Sequence, residues 1–369
     1  YTNKVAYFTN DTPIATQPWP LIEISLTQTN GVLLQTYSLE IFAAPLREIW
    51  FSTSRNLSAT NQPGVTNPIS AGDLISNRGR VVRRNRDLVG RLGVMPIVPD
   101  LGLDAVHVTR RGEILFSIPH DVWSETLGRL GNGDLLSDRG AIVKRNVTLL
   151  AAFGVTAFRP DSGLDAVQLL PDGEILFSIR SNIVADAGLA LGRGDILSDR
   201  GKIFRTNKQL LANFHPAVTN RDFGLDALHI LPSGEIWFSV EESFGDTHLS
   251  TVLEGDLLSD RGYRVFRNSQ LVAPFDPLNP NQDYGLDALY VIADTKPAYS
   301  SRFTKFHRNH VNGVVHLEWD GEGDVFQVEH SVSPYGPWLP CSPILPDVIF
   351  DDPCDLTGAA SGFYRLRSW

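Results

Sequence analysis

Apolar residues fall in short runs along this chain, alternating with single polar positions and broken by Gly, Pro, Asn and Asp. Such spacing predicts short half-buried strands joined by turns. No segment sustains a 3.6-residue apolar period, so helix content is expected to be small. The pattern also repeats. The phrase D-x-G-L-D-A recurs at Asp100–Ala105, Asp161–Ala166, Asp222–Ala227 and Asp283–Ala288, each 61 residues after the last. G-D-[LI]-[LI]-S-[DN]-R-G keeps the same step from Gly72, Gly133, Gly194 and Gly255. A period this regular means one supersecondary unit stacked several times.

Four strands can be placed in each unit. In the third copy they are Asp165–Leu170, Glu174–Ile179, Asp195–Leu197 and Lys202–Thr206, with Pro171-Asp-Gly173 and Asp199-Arg-Gly201 as hairpin turns. Four antiparallel strands per repeat fit a propeller blade with long loops. A β-helix needs far shorter coils, and a sandwich gives no reason for an internal period. Tyr1 to about Ile292 amounts to nearly five repeat lengths. The expected fold is therefore all-β: a β-propeller of 61-residue repeats with five blades, the fifth shared by both ends. Asp287–Ile292 would supply one of its strands and the N-terminal segment the others; four blades is the alternative.

The expected domains are an N-terminal segment (1–36) helping to close the ring, propeller repeats (37–292), a linker (293–303) and a small C-terminal β-sandwich (304–369). Alternation in Val314–Trp319, Val325–Val332 and Gly362–Trp369 marks the sandwich strands. This tail looks like the C-terminal fibronectin-III or immunoglobulin-like modules of exported bacterial proteins. The repeat itself resembles Asp-rich repeats of uncharacterised bacterial surface proteins. The resemblance implies export and a β-only fold, and no catalytic residues.

Composition narrows the partners. The net charge of −10, with no lysine or arginine run, makes nucleic acid a poor partner, because that binding neutralises phosphates. No 18-residue apolar run is present, so no membrane span is expected. The chain opens on Tyr1 and its only methionine is Met95, the pattern expected after signal-peptide removal from an extracellular or cell-surface protein. In an exported protein Cys341 and Cys354 are expected to form a disulfide, worth about 3 kcal/mol for a loop of this size. A reduced pair in a cytosolic protein is the alternative.

The repeated carboxylates admit two readings. Pairs Asp100/Asp104, Asp161/Asp165, Asp222/Asp226 and Asp283/Asp287 flank a glycine turn, a setting in which calcium finds oxygen ligands. Alternatively they hold turns and pair with Arg78, Arg139, Arg200 and Arg261, which recur in step. Calcium is the one cofactor the pattern admits. Function is sought instead where the repeats differ, in the loops between the second and third strands. His120, Trp123, Glu125, Glu241, Phe244 and His248 are the candidate contacts. His307-x-x-His310 reads as surface histidines in a linker. His107 and His229 share one strand position with Gln168 and Tyr290, which suits a half-exposed face.

No H-E-x-x-H, G-x-S-x-G or Walker-type loop occurs. The expected function is an exported, non-catalytic binding or assembly module meeting a protein or glycan, with homo-oligomeric surface assembly through strand edges as one form. The alternative is an extracellular polysaccharide hydrolase or lyase with its pocket at the ring centre.

Overall fold

The computed structural model describes residues 21–27, 33–40, 46–58, 69–97, 100–155, 160–293, 301–308, 313–353 and 362–369. Four four-stranded antiparallel sheets account for the repeats. From the inner strand outward, the third sheet runs Val167–Leu169, Ile175–Phe177, Ile196–Ser198 and Lys202–Arg205. Three of these strands fall inside the spans expected from the alternation, and the third, Ile196–Ser198, runs one residue past its expected end at Leu197. The second sheet opens on Val106–Val108 and the fourth on Ala227–Ile230. In the first sheet the inner strand comes from the far end of the repeats: Leu289–Ala293 pairs with Leu46–Phe51, followed by Leu74–Ser76 and Arg80–Arg83.

That pairing corrects the expected closure. The last strand completes the sheet of the first repeat rather than a fifth sheet shared with the N-terminal segment. Residues 37–40, expected to open the repeats, belong instead to a separate hairpin of Leu21–Thr27 with Leu33–Glu40. Residues 1–20 lie outside the described part.

The inner strands neighbour one another in cyclic order, second to third to fourth to first to second. Four hydrophobic clusters fill the spaces between adjacent sheets: Leu74 with Phe116, Leu135 with Phe177, Ile196 with Phe238, and Leu257 with Phe51. Each outer strand is followed by a single helical turn that opens on a buried asparagine, at Asn85, Asn146, Asn207 and Asn268. Turns this short are invisible to a 3.6-residue period.

Several letters of the repeated phrases hold the sheets together. The serine ending G-E-I-x-F-S stitches one sheet to the next: Ser52, Ser117, Ser178 and Ser239 donate to the carbonyls of Leu103, Leu164, Leu225 and Leu286. The glutamate of that phrase accepts from the serine of S-[DN]-R-G, as Glu235 does from Ser259 at 2.6 Å. Asp138, Asp199 and Asp260 accept from the amides of Ile114, Ile175 and Ile236. Because Ser239 is buried, Ser239→Ala should cost about 1 kcal/mol by leaving the Leu286 carbonyl without its donor. Urea unfolding measures it, and an unchanged midpoint would remove the stitch from the account.

The C-terminal region forms two three-stranded sheets: Arg302–Arg308, Val315–Asp320 and Ile349–Asp352, and Leu339–Pro340, Phe326–Ser331 and Phe363–Ser368. Leu317 and Trp319 of one pack against Phe326, Val328 and Leu366 of the other. The strand beginning at Arg302 takes in the end of the expected linker and His307; residues 294–300 and His310 lie outside the described part. This module rests on the ring. Val325, Ile344 and Trp369 join the cluster between the first and second sheets, Arg80 donates to the Ile344 carbonyl at 2.6 Å, and Arg83 pairs with Asp347. Cys341 is half-buried and its thiol lies 3.4 Å from the Val328 carbonyl oxygen, while Cys354 lies outside the described residues.

Candidate functional site

The two acids of each D-x-G-L-D-A phrase part company in the folded chain. The first one holds backbone. Asp222 accepts from the amides of Gly194 (3.2 Å) and Gly224 (2.9 Å), and Asp100 and Asp283 do the same at their own turns. The second acid, at Asp104, Asp165, Asp226 and Asp287, stands just before the inner strand and points into the ring axis cluster. Among the described residues, no three Asp, Glu, His or Cys side chains are grouped so as to hold a metal ion. The repeated arginines take carboxylates in three sheets, Arg139 with Glu113, Arg200 with Glu174 and Arg261 with Glu235, while Arg78 donates to the Arg47 carbonyl.

Over the axial acids lies a layer that the repeats do not share. The position two residues after the stitching serine is Ser54, Pro119, Arg180 and Glu241 in the four sheets. Each side chain covers the glycine of its own D-x-G turn. Arg180 spans the axis: its Nη2 is 2.5 Å from Asp104 Oδ2, its Nε is 3.2 Å from Asp165 Oδ1, and its Nη1 donates to the Pro119 carbonyl at 2.9 Å. Ser54 donates to Asp287. Glu241 meets Arg193 at 2.6 Å through one oxygen and comes within hydrogen-bonding reach of Asp165.

Two guanidiniums, Arg180 and Arg193, cannot neutralise Asp104, Asp165, Asp226, Asp287 and Glu241 in a dry setting. Burial, with repulsion from Asp165 and Asp287, pushes Asp104 up to about 8 despite Arg180. Burial raises Asp165 and Asp287 to about 6, and burial with the charge of Asp165 raises Glu241 to about 8. Asp226 rises well above the usual carboxylate range through burial and its three axial neighbours. No N–H or hydroxyl donor reaches buried Asp165 Oδ2 or Glu241 Oε1. Glu241, raised to about 8, keeps a proton at neutral pH that it can donate to Asp165.

Three residues further along the inner strands, the axis is filled again. His107, Gln168, His229 and Tyr290 are buried, not half-exposed as the alternation suggested. Tyr290 packs edge-on to both histidines, at 5.8 Å and 5.5 Å between ring centroids, and Gln168 bonds the backbone of Ile230 in both directions. Burial lowers His107 to about 4 and His229 to about 3, so both are neutral. The Tyr290 hydroxyl reaches Asp324 of the C-terminal module at 3.4 Å, placing that module at this end of the axis. Among the described residues, open cavities lie between sheets, one of about 590 Å³ lined by Asn207, Val218, Asn220 and Asp222, and one of about 380 Å³ lined by Arg129, Arg145 and Asp161.

The loops after the second strands are small hairpins on one frame: Val122–Ser124 with Gly128–Leu130, Ile183–Val184 with Ala190–Leu191, and Phe244–Asp246 with Ser250–Val252. Leu130, Leu191 and Val252 anchor them in the core. The outward cross-strand pairs differ: Trp123 with Arg129, Val184 with Ala190, and Gly245 with Thr251. Trp123 is 61% exposed, and Met95, whose amide donates to the Trp123 carbonyl, and Ile97 are exposed beside it in the chain. His120, Glu125 and His248 are exposed as well. Phe244 is not a contact residue; it is buried against Phe214 and Phe223 and pins its hairpin. Glu241 turns inward to the axis. Arg180, Ser54 and His215 were missed, although the first two share an offset from the repeated serine.

No protein-family model matches the chain, and no curated protein does. Among solved structures it is similar to virginiamycin B lyase from Staphylococcus aureus, with 12% identity over 81% of this chain and 85% of that one, at a TM-score of 0.21. It is also similar to the extracellular domain of a one-component system from Bacteroides thetaiotaomicron, with 7% identity over 91% of this chain and 54% of that one, at a TM-score of 0.27. Likeness at these scores carries no argument about activity. Among the described residues no helix is long and apolar enough to cross a membrane.

Proposed function

We propose that the chain is a non-catalytic binding module: a four-bladed β-propeller that presents a partner-binding surface on its hairpin rim, centred on Trp123. The observation that carries this reading is the contrast within the hairpins. Their inward pairs stay apolar (Val122 with Leu130, Ile183 with Leu191, Phe244 with Val252), while their outward pairs change from Trp and Arg to Val and Ala to Gly and Thr. A frame held constant under a varied surface is what recognition requires. Trp, Arg and Met are the side chains enriched where binding energy concentrates in protein interfaces, so a protein is favoured over a glycan. The C-terminal module, which this reading takes as fibronectin-III-like, would position the ring from the opposite end of the axis. An extracytoplasmic location belongs to the same proposal, and mass spectrometry of the native protein checks it through a Cys341–Cys354 linkage.

The hydrolase or lyase reading draws on one feature. Glu241 is a protonated carboxyl at neutral pH beside Asp165, as a general acid would be. Against it, Arg180 occupies the place a substrate would take.

Trp123→Ala separates the readings. Its side chain is mostly solvent-exposed, so the melting temperature should move by no more than about 1–2 °C. Binding to cell-envelope protein fractions, measured by surface plasmon resonance, should weaken at least about tenfold, with a glycan array run alongside. Undiminished binding by Trp123→Ala would sink the proposal. So would polysaccharide cleavage by the wild type that Glu241→Gln abolishes.

A further inference from the structure

Two histidines 33 residues apart in sequence meet on the rim of the fourth sheet. His215 follows the helical turn of the third repeat, and His248 lies in the 244–252 hairpin. Their ring centroids are 4.0 Å apart with planes tilted by 55°, and both residues are exposed. The backbones beneath them are locked to one carboxylate. Asp246 accepts from the amide of His215 through Oδ2 at 2.6 Å, and from the amides of His248 and Leu249 through Oδ1 at 2.8 Å. Thr247 donates to the His215 carbonyl and Ala217 to the Gly245 carbonyl, which closes the frame.

The same frame without the histidines shows what they add. In the second sheet the equivalent hairpin amide, Glu125, donates to the Gly93 carbonyl, and Ser124 accepts from the amides of Thr126 and Leu127. There, Gly93 and Thr126 stand where His215 and His248 stand here; in the third sheet the residues are Gly154 and Ala187. The backbone bonds do not need imidazoles. Among the described residues of these three frames, the fourth sheet alone places two imidazoles side by side.

We propose that His215 and His248 form a two-histidine site for a divalent transition metal of the zinc class. Bonds of about 2.0–2.1 Å at a near-tetrahedral angle set two donor nitrogens roughly 3.3 Å apart. Two exposed rings at this separation can each present a nitrogen at that spacing after small side-chain rotations. The Asp246 oxygens are taken up by backbone amides, so water fills the other positions. Nitrogen donors without a carboxylate select zinc, copper or nickel over calcium and magnesium, which take oxygen. The site ties the 215–221 segment, which lines the larger cavity, to the hairpin opposite. It does not depend on the partner-binding reading.

Zinc titration of EDTA-stripped full-length protein by calorimetry tests the site. The wild type should bind one zinc ion that His215→Ala and His248→Ala each weaken at least tenfold, with metal-free melting temperatures unchanged. His307→Ala, on the sandwich, should bind as the wild type does. Absence of zinc binding by the wild type overturns the proposal, as does equal affinity in the rim variants or a loss that follows His307→Ala.

Discussion

Arg180→Gln is expected to destabilise the protein by about 2–3 kcal/mol at pH 8 and by clearly less at pH 5. Breaking a buried ion pair typically costs about 3–5 kcal/mol, because the abandoned charge stays buried. The lower figure allows for solvent screening, since the Arg180 side chain is 37% exposed while Asp104 and Asp165 are almost fully buried. The pH dependence follows from the same cluster. Asp104 and Glu241 titrate at about 8 in the folded chain, and Asp165 and Asp287 at about 6, all above their unfolded values near 4. The folded state therefore binds more protons than the unfolded state across this window. The stability these groups give is complete below about pH 4 and is lost as pH rises through about 6 to 8.

The buried histidines run the other way. His107 and His229 are lowered to about 4 and 3, so their contribution is complete above pH 6.5 and is lost as pH falls through those values. Between pH 6.5 and 8.5 the carboxylate effect is joined by that of His316, whose bonds to Glu318 and Asp351 hold it above the usual histidine range and which acts with the same sign. The wild-type melting temperature should fall across that interval, more steeply in Arg180→Gln and less steeply in Glu241→Gln. Identical pH profiles for the three proteins would show that the axial acids do not share their protons and charge as described.

The strands and their order inside a repeat were legible because many of the repeated letters hold the backbone. A serine that stitches sheets or an aspartate that caps a strand amide is needed in each copy, so the period exposes it. Ring closure was not legible. Nothing local in Leu289–Ala293 says that its partner is Leu46–Phe51, because a strand pattern specifies a face and not a neighbour. His107 and His229 were placed on a half-exposed face for a related reason: alternation assumes one wet side, and the inner strands of a ring have none. The axial layer was hidden by chemistry. Ser54, Pro119, Arg180 and Glu241 share an offset but no residue type, so a search for likeness passes over the one position where unlike residues converge. The variable hairpins were found by asking where the repeats differ. Which of their residues face outward was settled only by the buried anchors Leu130, Leu191 and Val252.

Gly194→Ala should be among the most damaging single substitutions in the ring, at about 2–4 kcal/mol. Its backbone needs no left-handed conformation, so conformational freedom is not the reason for glycine. The reason is space. A Cβ there would stand 2.2 Å from Asp222 Oδ1, 2.3 Å from Asn207 Nδ2 and 2.6 Å from Asn207 Cγ. Neither neighbour is free to retreat. Asp222 bridges the amides of Gly194 and Gly224, and the buried Asn207 side chain accepts from the Phe223 amide at 3.5 Å. Overpacking of a tight site costs about 1–3 kcal/mol, and displacing Asp222 forfeits charge-assisted bonds worth more than neutral ones. Gly173→Ala is the control. It sits at φ +82° with nothing within 4 Å of the added carbon, so backbone strain alone should cost about 1–2 kcal/mol. Urea denaturation of both variants compares close approach with conformation directly. If Gly194→Ala lost no more than Gly173→Ala, the aspartate at the head of D-x-G-L-D-A would be an ornament of the turn rather than the clasp that joins one repeat to the next.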